Sequence, residues 1–354
     1  MLVRDVLDSL AAWGDRAAAW DPYGLQLGDP GAEVRRLGVC HEVTSEVLER
    51  ASDVDLLITY HPLLFKPLNR LLAGPGPQGR AHQLIRSGVN LAVVHTAWDA
   101  AEGGTSDALG AMVGLSEVEA FGGVEQAAEW KLVTFVPPEH LDRVAAALSA
   151  TGAGRIGNYT ACSFRSVGVG TFFPEPGSSP VAGVISSLNQ VAEIRLEMRV
   201  GPGERDHAIA ALLAAHPYEE PAFDLYETSS VGGMIGRVGA IQGRLANLVQ
   251  MLRHEVGSEI RAAGRDRQLS RAAVLPGSGG SFVSEARSRR ADVLITGDVS
   301  HHQMREALDL DMAVIDIGHA PSERPGVAAL VEAAAKIGPA LVEVDVDPTP
   351  WKSP

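Results

Sequence analysis

One pattern constrains this chain more than any other: a short, fully apolar run flows into a loop that carries histidine or acidic residues, and it does so in both halves. In the first half Asp55 to Phe65 reads DLLITYHPLLF and Leu91 to Gly103 reads LAVVHTAWDAAEG; in the second, Asp292 to His302 reads DVLITGDVSHH and Met312 to Pro325 reads MAVIDIGHAPSERP. Apolar runs of four or five residues without polar alternation suit strands buried on both faces, as in parallel sheets covered by crossover helices. Leu37 to Cys40 and Ala272 to Leu275 are further runs of this kind, and helical patterns at Thr44 to Ala51 and Gln78 to Ser87 separate the first ones. The expectation is an α/β fold. The echo between the halves reads either as a repeat, which would bring ligands from both into one cleft, or as the shared composition of buried strands.

Around Gly122 the rhythm changes. A strand at Lys131 to Val136, a helix from Pro138 to Thr151, strands to Phe173, a Pro/Ser/Gly loop, a strand at Glu193 to Val200, a helix at Glu204 to Ala215 and a strand at Ala222 to Tyr226 follow. That β-α-β-β-α-β order predicts a ferredoxin-like (PII/CutA-like) α+β domain. The α/β rhythm resumes at Gly239, with strands expected at Val293 to Thr296 and Met312 to Asp316. The predicted division is an N-terminal α/β lobe over 1–124, an inserted domain over 125–230, and a C-terminal lobe over 231–354 that completes the first domain.

A length of 354 residues exceeds one ordinary domain and agrees with that division. Thirty basic against forty-four acidic side chains give a formal charge of −14, which disfavours nucleic acid and anionic membrane as partners. Cys40 and Cys162 form no CxxC pair, which fits a reducing compartment and neither a zinc knuckle nor a disulfide framework. Met1 to Trp20 reads as an amphipathic helix without the uncharged core of a signal peptide, and no run spans a bilayer, so the expected location is cytoplasmic. Trp20 to Gly31 reads as a turn-rich stretch.

In open α/β sheets ligands gather at the carboxyl ends of strands. Four segments end that way: Thr59 to Pro62, His95 to Asp99, Thr296 to His302 and Gly318 to Glu323. Imidazole nitrogen and carboxylate oxygen together suit Zn²⁺, Fe²⁺ or Mn²⁺. His61 precedes Pro62, Asp99 is expected in the loop after its strand, and His319 and Glu323 stand four apart, on one side of a helix starting near Pro321. Singly, each has a plainer reading: a strand-end histidine bonded to backbone, a loop cap, a charge at a helix N-terminus. Their coincidence at four strand ends supports a metal site. His95, or one of the adjacent His301 and His302, is the candidate for moving protons. Gly277 to Ser281 (GSGGS) resembles a phosphate-cradling turn but lacks the lysine of a P-loop. No GxSxG elbow is present.

The segments WDPYGLQLGD, ITYHPLLF and VVHTAWDAAEGGTSDALG in the first part, IGNYTACSF, GTFFPEPG and AHPYEEPAFDLY in the middle, and ITGDVSHHQMREA and VIDIGHAPSE in the last resemble the NIF3-like family in its long form, which includes GTP cyclohydrolase 1 type 2 homologues. The resemblance implies two similar α/β lobes around the insertion, two divalent ions per subunit (Zn, Fe, Mn or similar), a homohexamer, and the ligands His61, Asp99, His319 and Glu323. Tyr60 stands where the family usually has histidine. It either coordinates as phenolate or stays protonated and weakens one metal position, and the second is the simpler consequence. Pro22, Ala97 and Asp298 also depart from the family's usual residues. The implied function is a hydrolase in which metal-activated water attacks a nucleotide-like or phosphoester small molecule. The alternative is a non-catalytic metal-handling or regulatory protein whose inserted domain binds a partner or effector.

Overall fold

The computed structural model describes residues 1–14, 16–125, 129–156, 159–201, 203–228, 232–257 and 259–347. Internal contacts divide the chain into two compact units, Met1–Gln126 with Val231–Pro354, and Ala127–Ser230. The expected junction at 230–231 and part of the IGNYTACSF motif lie outside the described residues.

The larger unit opens with α1 (Val3–Gly14), β1 (Gly24–Leu27), β2 (Arg36–Cys40), α2 (Ser45–Arg50), β3 (Leu56–Thr59), α3 (Gly76–Ser87), β4 (Asn90–Val93), α4 (His95–Ala100), α5 (Thr105–Val113) and β5 (Ser116–Gly123). Thr44 starts α2 by accepting from the Val47 N–H at 3.1 Å, a side-chain N-cap. Every residue of β3 and β4 is buried, the signature of strands covered on both faces. Two expectations need correction. The turn-rich stretch contains β1, which pairs antiparallel with β4. Asp99 lies inside α4 rather than in a loop, because the chain turns helical at His95, immediately past the strand.

The smaller unit consists of β6 (Glu129–Val136), a 3-10 turn, α6 (Leu141–Ser149), β7 (Phe164–Phe172), β8 (Asn189–Val200), α7 (Arg205–Ala215) and β9 (Phe223–Thr228). Its sheet runs β7-β8-β6-β9, with every pairing antiparallel. Leu132, Val136, Leu196 and Met198 from one face pack against Val144 and Leu148 of α6 and Leu212 of α7.

The chain returns to the larger unit with β10 (Met234–Arg244), α8 (Leu245–Val256), β11 (Arg261–Ala263), β12 (Gln268–Ser278), α9 (Val283–Ser288), β13 (Val293–Gly297), α10 (His301–Asp309), β14 (Ala313–Asp316), α11 (His319–Ala334) and β15 (Ala340–Glu343). Its two sheets run β1-β4-β3-β2-β15 and β11-β14-β13-β12-β10-β5. The first contains four parallel strands, β4-β3-β2-β15, and the second three, β14-β13-β12, with an antiparallel strand, β1 or β11, beside β4 or β14. The sequence echo thus falls on equivalent strands: β3 with β13, and β4 with β14. The lobes are not cleanly split at the insertion, however. β15 from the C-terminal half joins the first sheet, and β5 from the N-terminal half joins the second. Val327, Leu330 and Ala334 of α11 also pack into the core of the first sheet, beside Leu37, Leu56 and Ile58.

Asp292, just before β13, fastens that strand to β12. Its carboxylate accepts from the Ser270 N–H and hydroxyl, both at 2.8 Å, and from the Arg271 N–H at 3.1 Å. Partial burial works to raise its pKa, but those bonds and the nearby Arg267 outweigh it, so the carboxyl is held below its ordinary value. A depressed carboxylate contributes stability above its unfolded pKa of about 3.9, lost as pH falls through the folded value. Asp292→Ala should therefore cost about 1–3 kcal/mol at neutral pH. In urea titrations the gap to wild type should narrow as pH drops below about 4; a gap independent of pH would refute this role.

Candidate metal centre

The strands deliver the site because their hydrogen-bonded ladder continues one step past their formal ends. The Tyr60 N–H donates to the Cys40 carbonyl at 2.9 Å, the His61 N–H to that of His41 at 2.8 Å, and the His95 N–H to that of Tyr60 at 3.0 Å. His41, Tyr60, His61 and His95 are thereby lined up at the carboxyl edge of the first sheet. From the second sheet, β14 leads through Gly318 into α11, whose first residue is His319 rather than one near Pro321, and Glu323 follows one turn later. Trp98 joins the two lobes here, its indole N–H donating to the Gly326 carbonyl at 2.8 Å.

His41, Tyr60, His61 and His319 converge on Glu323, which is 2% exposed. Oε2 lies 2.8 Å from His41 Nε2 and 3.1 Å from His61 Nε2. Oε1 lies 3.1 Å from His319 Nε2 and accepts from the Tyr60 hydroxyl at 3.4 Å. The Tyr60 hydroxyl donates more closely to Asp99 Oδ1, at 2.6 Å. Outside this ring, Asp298 Oδ2 holds His319 Nδ1 at 2.6 Å, and Asp21 Oδ1 holds His95 Nδ1 at 3.1 Å. Asp21 is itself fixed by the Thr96 N–H at 2.9 Å and by the Thr96 hydroxyl. Gly277 lets β12 approach: a Cβ there would stand 2.7 Å from Glu323 Oε1, and its φ of +65° favours glycine as well.

The electrostatics follow from burial and these contacts. Burial alone would raise the Glu323 pKa, but hydrogen bonds from His319, His41 and His61 hold it well below the ordinary carboxylate range. Its bond to Glu323, against some burial and helped by Asp298, raises His319 to about 9. Burial lowers His61, outweighing Glu323, and burial pushes Asp99 up to about 7. For His95 burial opposes protonation, yet Asp21 prevails and raises the pKa. Burial, with Asp99 and Glu323 alongside, drives Tyr60 well above a phenol's usual value, so Tyr60 is a neutral donor.

Of the residues expected from sequence, Tyr60, His61, Asp99, His319 and Glu323 come together, with the His95 ring centroid 5.1 Å from that of His61. His301 and His302 occupy the exposed first turn of α10, stacked edge to face on each other at 5.7 Å. Among the described residues, neither makes a hydrogen bond or ion pair with the cluster. The GSGGS turn does not offer a free phosphate cradle, since its Gly277 and Gly279 N–H groups donate to Ser322 and Thr296 side chains. Two residues escaped the sequence reading. His41 follows β2 directly, so the strand-end argument applies to it too, one residue past the apolar run that ends at Cys40. Asp21 lies in the turn-rich stretch, where nothing local distinguishes it.

The donor set fits a divalent cation. Among the described residues, His41, His61 and Glu323 form the group whose ligand atoms all lie within 4.8 Å of one another. Around a tetrahedral ion with bonds of about 2.0–2.1 Å, neighbouring ligand atoms stand about 3.4 Å apart. The 2.8 and 3.1 Å separations here need only slight opening to match. A buried carboxylate flanked by imidazole nitrogens is also the environment that a cation stabilises.

Comparisons with known proteins identify the family. Residues 1–350 match the model of the family described as Duf34/NIF3 (NGG1p interacting factor 3). A protein of Mycobacterium tuberculosis named as a GTP cyclohydrolase 1 type 2 homolog is 36% identical, covering 91% of this chain and 88% of its own length. One of the same name from Halalkalibacterium halodurans is 31% identical, covering 89% and 87%. The crystal structure of a Bacillus cereus protein related to NIF3 superposes over 100% of this chain and 99% of its own, with a TM-score of 0.65 and 27% identity. With a family match over nearly its whole length and relatives above 30% identity, the chain belongs to the Duf34/NIF3 family.

Proposed function

We propose that the protein is a divalent-metal-dependent hydrolase acting on a nucleotide-like or phosphoester small molecule. The observation that carries this reading is the convergence of His41, His61 and His319, which follow strands of both lobes, on the buried Glu323 carboxylate. The names of the relatives, GTP cyclohydrolase 1 type 2 homologs, point the same way.

His41, His61 and Glu323 would hold the cation, with His319 and Asp99 as further donors. Bound there, a divalent ion would lower the pKa of a water molecule and polarise the electrophile. The chain's own part in proton movement falls to His95. Asp21 engages its Nδ1, which orients the ring and leaves Nε2 to exchange a proton. Burial of the cluster keeps bulk water from screening these charges.

Glu323 presents its two oxygens to different donors, Oε2 to His41 and His61, Oε1 to His319 and Tyr60. This supports a reading in which one carboxylate would serve two unequal cation positions. The second is the weaker, because Tyr60 is a neutral donor that engages Asp99 instead of supplying an imidazole. In the smaller unit, the β-α-β-β-α-β order and the strand arrangement β7-β8-β6-β9 support a ferredoxin-like module. The proposed metal ligands all belong to the larger unit.

Two experiments test this reading. Metal-loaded protein assayed across nucleotides and phosphoesters should give chelator-sensitive turnover, and His95→Ala should reduce it at least about 100-fold with metal content unchanged. No turnover above the chelated control would favour the metal-handling alternative. In zinc titrations, wild type should bind one ion tightly and a second more weakly. His41→Ala should lower affinity at the tight position by more than the roughly 10–100-fold typical of residues that merely support a ligand, and Tyr60→His should strengthen the weak one. Titrations unchanged in both variants would overturn the assignment.

A further inference from the structure

A cavity of about 480 Å³ opens beside the metal centre, with His61 on its inner wall. Glu42 and Val43, the stretch from Pro62 to Leu68 and the first turns of α3 form the rest. Leu63 and Phe65 supply an apolar side, and Phe65 is 53% exposed, a high value for a phenylalanine next to a buried polar cluster. Its ring stacks on Trp20, itself 58% exposed, at 6.0 Å and 20°, and meets the edge of His95 at 5.7 Å. Two aromatic faces thus stand in solvent at the site.

The same cavity carries two cations. Lys66 and Arg80 both line it, and neither makes an ion pair among the described residues. Among the described residues the Arg80 Nε is buried without a hydrogen-bond partner, a state that folded interiors rarely leave uncompensated. Against them stands one acid in the wall, Glu42, adjacent to His41. The local balance is therefore positive in a chain whose formal charge is −14. α3 adds to it, since no acidic residue lies in its first turn and no side chain caps its N-terminus.

We infer that this cavity is the substrate-recognition subsite: Arg80 and Lys66 hold an anionic group, and Phe65 supports a flat aromatic body, which presents the molecule's reactive end towards His61. The inference rests on the hydrolase reading for the position of the reacting bond, but the subsite itself needs no metal. It names a substrate class, small aromatic anions such as aryl phosphates. Arg80 suits the role because a guanidinium engages phosphate or carboxylate through paired N–H groups.

Calorimetric titration of the full chain with phenyl phosphate and with neutral benzyl alcohol, each with and without prior chelation, tests it. Phenyl phosphate should bind at least about tenfold more tightly than benzyl alcohol in the chelated protein, a difference of about 1.4 kcal/mol. Arg80→Gln should remove that preference while zinc stoichiometry stays at the wild-type value. Lys66→Gln, at an exposed position where folding is not at risk, should reduce it in part. Equal binding of the two probes, or a preference unchanged in both variants, would overturn the subsite. Loss of zinc binding with the Arg80-dependent preference intact would instead count against the metal reading alone.

Discussion

The Glu323 carboxylate is the point on which the larger unit depends. It is nearly inaccessible to water, and an ionised carboxylate in such a place is costly unless opposite charge or hydrogen bonds surround it. His41 and His61 come from one sheet and His319 from Glu323's own helix, so satisfying this one group requires both lobes to be in place. The strand exchange between the sheets, with β15 in the first and β5 in the second, makes that arrangement part of the fold. Removing the carboxylate would leave three imidazoles without their common partner.

The two lobes meet this demand with related devices. Each sheet sends its third parallel strand, β4 or β14, into a helix whose first turn carries a histidine and, four residues later, an acid: His95 with Asp99, and His319 with Glu323. An outer carboxylate steadies each histidine, Asp21 for His95 and Asp298 for His319. Two of these residues also have strained backbones, His95 at a φ of 27° and Asp298 at 52°. Such conformations cost on the order of 1–3 kcal/mol and persist where surrounding contacts hold them, commonly at functional sites. The lobes differ where Tyr60 engages Asp99, and there the symmetry of donors breaks.

Much of this was legible in the sequence for a physical reason. Buried parallel strands must be apolar throughout and must end in polar loops, so DLLIT, LAVV, VLIT and MAVID mark both the strands and the places where ligands collect. That rule singles out His61, His319 and Glu323, whose side chains the structure brings together. Asp99 was found in the wrong element, because a helix starting at the strand's end has no cap signal to announce it: Val94 offers no side-chain cap. His41 was missed by one residue at a strand end. Asp21 was out of reach, since its role is set by a contact with Thr96 and His95 more than 70 positions away. The exchange of β5 and β15 was equally hidden, because a strand's sequence says that it pairs but not with which neighbour.

The Asp21–His95 pair and the Glu323 cluster gather imidazole and carboxylate groups, and His61 also lines the cavity that carries Arg80. The central claim is that His41, unremarked by its motif context, supplies a ligand atom. X-ray absorption at the zinc edge on protein loaded with one equivalent of zinc tests this most directly. The account predicts imidazole nitrogen and carboxylate oxygen at about 2.0–2.2 Å, with one imidazole fewer in His41→Ala. Spectra of wild type and His41→Ala that indicate the same number of imidazoles would contradict it.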